Sequence, residues 1–171
     1  PLLINSNPGS TTLALQKAYV HKILDTLANE PNVLYEVANE PAPTPDMSVS
    51  FTWQESIVTE VHAYEAAHAY MLHPIAEELN NNQAGSITGD IFIPYDIQAV
   101  PTSYSLGKPV IVDTDHIFGF GGGTDWWWQS FMLGNNLLSM DDFTGTGLTG
   151  ILNLGGGNVP GVIQNRQAVP Q

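Results

Sequence analysis

The sequence predicts an α/β protein with parallel strands, and three observations carry that expectation. Helix-like and strand-like segments alternate along the 171 residues. The strand-like segments end in polar residues, which is the rhythm of repeated βα units. The clearest of them, "KPVIVD", holds Val110, Ile111 and Val112 in one β-branched run, the kind that parallel sheets bury on both faces.

The opening "PLLINSNPGS" clusters Asn, Pro, Gly and Ser and reads as a strand end or loop. From about Thr12 to Asn29, Leu13, Val20, Ile23, Leu24, Leu27 and Ala28 recur near helical spacing, and the proline of "NEPN" stops the run. A strand follows over 33–37. A second helix is expected from a capping box at Thr52 and Glu55 to about Met71, with Trp53, Ile57, Val58, Val61 and Tyr64 along it. "HPIA" (73–76) and "IQAVP" (97–101) read as short strands, with polar loop over 80–90 between them. After "KPVIVD" come a glycine-rich loop, a helix from about Thr124 to Leu133 and a last strand in "NLLSMDD". Residues 1–145 thus read as one catalytic domain, and 146–171, rich in Gly, Asn and Pro, as loop or disorder.

Composition narrows the function. The chain is about one domain long, and 43% apolar content supports a real core. Four Lys plus Arg against 17 Asp plus Glu give a formal charge of −13, a field that repels nucleic acid and anionic membranes. Charged residues make up only 12%, which suits a secreted or periplasmic protein handling neutral polar ligands. Without cysteine there are no disulfides and no thiolate metal sites. No apolar run reaches the roughly 18 to 20 residues of a membrane span, and no signal peptide is legible.

Chemistry concentrates in three places. "NVLYEVANEP" is an apolar strand that ends in Asn39 and Glu40, and carboxyl ends of parallel strands are where such folds gather catalytic groups. An isolated Asn-Glu of this kind also suits a loop carboxylate capping the next helix. "VIVDTDH" puts Asp113, Asp115 and His116 directly after the buried strand. Glycoside hydrolysis needs two carboxyl groups flanking the scissile bond, about 5 Å apart when one is the nucleophile. "DWWW" brings Trp126, Trp127 and Trp128, whose rings can stack on sugar faces, although three consecutive side chains on a helix cannot all face one way. His21, His62, His68 and His73 lack metal-ligand spacing and read as structural. "GFGGG" lacks the Lys-Ser/Thr of a phosphate loop.

The segments "LQKAYVHKILDTLANEPNVLYEVANEP", "TWQESIVTEVHAYE" and "KPVIVDTDHIFGFGGGTDWWWQSFMLGNNLLSMDDF" resemble the (β/α)8-barrel glycoside hydrolases of the cellulase and β-mannanase clan, over roughly residues 12–143. The resemblance implies a parallel barrel of which only strands four to eight are present, open at one edge and able to self-associate there. It implies Glu40 as general acid/base at the end of strand four, Asn39 as the holder of a sugar hydroxyl, and a carbohydrate substrate, with no cofactor and no metal. The clan's nucleophile is a Glu ending strand seven. Here that stretch offers Asp113 or Asp115, a shorter side chain, with Asp113 nearer the strand end. Two other readings stand beside this one: a calcium- or magnesium-dependent hydrolase using Asp113 and Asp115, as the resemblance of "DTD" to nucleoside hydrolases implies, and a sugar-binding segment without turnover.

Overall fold

Four stretches are described by the computed structural model, 10–41, 47–95, 101–113 and 124–138, and the chain falls into two units, 1–95 and 96–171. Asp115, His116, the glycine-rich loop and the tail 146–171 lie outside the described residues, as does "IQAVP" apart from Pro101, which is in no strand.

In the first unit, helix α1 (Ser10–Leu27) leads to strand β1 (Tyr35–Glu36), helix α2 (Met47–His68), β2 (Ile75–Leu79) and β3 (Ile91–Pro94). The three strands form one parallel sheet in the order β1-β2-β3, with Tyr35 opposite Ile75 and Ala76 opposite Ile91. The core forms where the helices meet the sheet: Leu24 of α1, Trp53, Ile57, Val58 and Val61 of α2, Ala38 and Ile75. Polar ties across the two helices reinforce it, from Trp53 Nε1 to Gln16 Oε1 (3.1 Å) and from Lys17 and His21 to the Glu60 carboxylate (2.6 and 2.7 Å).

Two expectations about this unit need correction. Helix α2 begins at Met47, so Thr52 is no N-cap; its hydroxyl bonds back to the Ser48 carbonyl (3.0 Å), and Glu55 instead accepts the Thr88 amide (2.9 Å) and hydroxyl. The polar stretch after "HPIA" is not plain loop, since β2 continues to Leu79, a 3-10 turn occupies Asn81–Ser86, and β3 follows. Both β2 and β3 are buried along their whole length. Gly89 makes room between them: a Cβ there would lie 2.7 Å from the Glu77 carboxylate, which instead accepts the Gly89 amide at 2.7 Å.

The second unit holds β4 (Ile111–Asp113), helix α3 (Thr124–Met132) and β5 (Asn136–Leu138), with β4 and β5 parallel. Val110 and Val112 are buried, as the β-branched run requires.

The expected partial (β/α) barrel is overturned. Among the described residues the strands make two separate small parallel sheets, of three and two strands, in a small α/β arrangement. β1 pairs over only two residues and β4 over three, and a 3-10 turn, not a helix, links β2 to β3, so the βα alternation that builds a barrel lapses. No helix among the described residues is long and apolar enough to cross a membrane.

Candidate functional site

In an open parallel sheet ligands bind outside the carboxyl ends of the strands. β1 delivers Asn39 and Glu40 to that end, both exposed. The ladder between β1 and β2 stops early, its last rung being the Val37 amide on the Ala76 carbonyl at 3.1 Å. Three residues later Glu40 turns into the left-handed region, at φ 46°. Few residues other than glycine adopt that conformation, and such outliers cluster at functional sites. The Glu40 amide donates to the carboxylate of Glu78, one strand over.

Glu78 is held in turn. β1 pairs with β2 only as far as Ala76, and the Gln54 carboxamide bonds the amide and carbonyl of Glu78 beyond it. The Glu78 amide donates to Gln54 Oε1 (3.2 Å), and Gln54 Nε2 donates to the Glu78 carbonyl (2.9 Å) and to Ser50 Oγ (3.1 Å). A primary amide carries a donor and an acceptor side by side, so it can stand in for a peptide group. Gln54 is fully buried and Glu78 is 8% exposed. A fixed carboxylate therefore sits beneath an exposed one. The side chains of Glu40 and of the neighbouring Asn39 are exposed, so a carboxyl and a carboxamide stand side by side at this strand end.

The other residues singled out from sequence lie in the second unit. Asp113 is the last residue of β4 and is half-buried. Trp126 and Trp127 are buried, while Trp128 is 38% exposed and meets Phe131 edge-on, ring centres 6.1 Å apart. Of the three rings, only that of Trp128 is open to a ligand. Glu78 and Gln54 were missed by sequence reasoning. Glu is depleted in strands, so "IAEEL" does not look like one, and the usable signal was its likeness to "YEVANE": an apolar run closing on acids.

At the opposite, amino ends of the strands lies a second polar cluster. His73 and Glu65 side chains are each 1% exposed and 2.8 Å apart, and His73 Nε2 lies 3.1 Å from the Glu30 carbonyl. Both ring nitrogens thus face oxygens, tying the end of α2 and the start of β2 to the loop after α1. Tyr35 stands beside them, its phenol pushed up by burial and then by the Glu65 charge. On the helix surface, hydrogen bonds from Tyr70 and Tyr64 hold the Asp25 carboxyl below its usual range, and the Lys17 hydrogen bond does the same for Glu60. His21 stacks on Tyr64 at 3.9 Å and His68 at 4.0 Å. Among the described residues no three His, Asp or Glu side chains converge to hold a metal ion.

Comparison with protein-family models, with curated proteins and with solved structures yields no match.

Proposed function

We propose that this chain is a glycoside hydrolase in which Glu40 protonates the leaving glycosidic oxygen and Asn39 bonds the adjacent sugar hydroxyl. One observation carries the reading: an exposed carboxyl at the carboxyl end of a parallel strand, on a left-handed residue whose amide is tied to a nearly buried carboxylate. The sequence resemblance of "EVANE" to the acid/base strand of the cellulase and β-mannanase clan supports it. The second carboxyl that the chemistry requires is assigned on sequence alone to Asp113, with Asp115 two residues on as the alternative. In a retaining reaction that carboxylate forms the bond to the anomeric carbon as the C–O bond breaks. Glu40, having given its proton to the departing alcohol, then takes one from the water that releases the sugar.

The test is release of reducing ends from a panel of polysaccharides and aryl glycosides by the wild-type chain and by Glu40→Gln, Asp113→Asn and Asp115→Asn. Glu40→Gln should lose most turnover, at least about 10²-fold, with sugar affinity nearly unchanged. One of the two Asp variants should lose turnover as severely. A Glu40→Gln variant as active as wild type would end the assignment, and glycan binding without any hydrolysis by the wild type would replace it with a sugar-binding module.

A further inference from the structure

We propose that Glu78 is the positioning residue of this site: by accepting the Glu40 amide, its carboxylate fixes the left-handed turn that presents the Glu40 carboxyl to substrate. The inference rests on the reading of Glu40 as proton donor and names what keeps that donor in place.

Three features lead to it. Glu40 leaves its strand beyond the last β1–β2 rung and adopts φ 46°, a conformation that costs a non-glycine residue about 1–3 kcal/mol and persists only where its surroundings dictate it. The Glu78 carboxylate lies against the amide of that same residue. A carboxylate so nearly buried is itself costly unless it is bonded, and a hydrogen bond from a main-chain amide to a charged acceptor is about twice as strong as a neutral one. Finally, Gln54 of α2 bonds both the amide and the carbonyl of Glu78, and Ser50 accepts from Gln54. The order of support runs from helix to central strand to the exposed rim: Ser50, Gln54, Glu78, Glu40. An ordinary core position would carry a leucine where Glu78 stands. Glu78 keeps a carboxyl acceptor there, bonded to the amide of a residue whose backbone is left-handed.

The consequence is geometric. A proton donor must lie within hydrogen-bond reach of the oxygen it serves, and a misplacement of about 1 Å can cost about 10²-fold in rate. Removing the Glu78 acceptor should let Glu40 relax toward extended backbone and swing its carboxyl away.

Two variants of the full chain test this, Glu78→Leu, which removes the acceptor, and Glu78→Gln, which keeps a neutral one. Two readouts apply: the chemical shift of the Glu40 amide proton, and kcat and KM on the best glycoside of the panel. In wild type the Glu40 amide should resonate downfield. Glu78→Leu should move it upfield and lower kcat about 10²-fold with KM held, and Glu78→Gln should recover part of both. A Glu40 amide that stays in place in Glu78→Leu, or a kcat that is unaltered although the amide has moved, would overturn the proposal. Should Glu78→Leu fail to fold, Glu78→Gln decides: an unmoved amide with undiminished kcat overturns it, and an upfield shift with reduced kcat upholds it. A wild-type chain that hydrolyses no glycoside counts against the glycosidase reading and against any catalytic duty of Glu78, whereas the amide shift alone still reports whether Glu78 holds the turn.

Discussion

At φ 46° Glu40 occupies backbone territory that glycine enters freely and glutamate does not. If the chain tolerates that cost for the sake of the side chain, Glu40→Gly should raise stability by about 1 kcal/mol while abolishing hydrolysis. Urea denaturation and the reducing-end assay check the two halves, and a destabilised Glu40→Gly would show that the side chain serves the fold instead. The Asn39–Glu40 pair stands out in the sequence because two polar heads close an apolar strand, although a loop carboxylate capping the next helix would read the same way. Their conformation was not legible, since a left-handed glutamate leaves no mark in the sequence. Nor was Glu78, whose partner is a main-chain amide 38 residues away. The tryptophans were half legible: a helix had to send them different ways, but only the fold shows that Trp128 is the exposed one.

Among the elements, the βαβ segment β1–α2–β2 matters most, because it brings Gln54, Glu78 and Glu40 together. Gln54→Leu would leave both the amide and the carbonyl of Glu78 without the partner that now satisfies them. Since an unsatisfied buried polar group costs about 1–3 kcal/mol, the loss should be about 2–4 kcal/mol by urea denaturation, and the Glu40 amide resonance should broaden or shift with it. The α1–α2 pairing carries a pH signature. The Lys17 hydrogen bond, and His21 after it, holds the Glu60 carboxyl below its ordinary value, so this contribution is present above the unfolded carboxylate range and is lost as pH falls through the lowered value. Because the pair is partly exposed, Glu60→Gln should cost only about 0.5 kcal/mol at neutral pH, with the difference from wild type vanishing in acid. Helix existence was legible from apolar spacing, whereas boundaries were not. The Thr52–Glu55 spacing imitates a capping box, yet Thr52 lies one turn inside a helix whose start at Met47 has no such signature. β3 escaped because "IFIP" is a four-residue apolar run, which periodicity alone cannot assign.

For the whole molecule, α/β character with parallel strands follows from alternation and from runs such as "KPVIVD", but the way strands are joined into sheets does not. The resemblance to barrel enzymes implied one curved sheet. The short pairings of β1 and β4 and the 3-10 link between β2 and β3 make two small sheets instead. The proton transfer proposed for Glu40 draws on less than a barrel: a carboxyl end, a fixed turn and an exposed acid in the first unit, with the second carboxyl assigned on sequence alone to the second unit. The most direct test of that claim is the dependence of Glu40→Gln on leaving group, because a general acid is needed only when the departing oxygen is basic. On a pair of aryl glycosides of one sugar, the variant should lose about 10²-fold or more in kcat/KM with a poor, phenol-like leaving group and far less with a dinitrophenyl one. Equal losses on both, or none on either, would contradict the account.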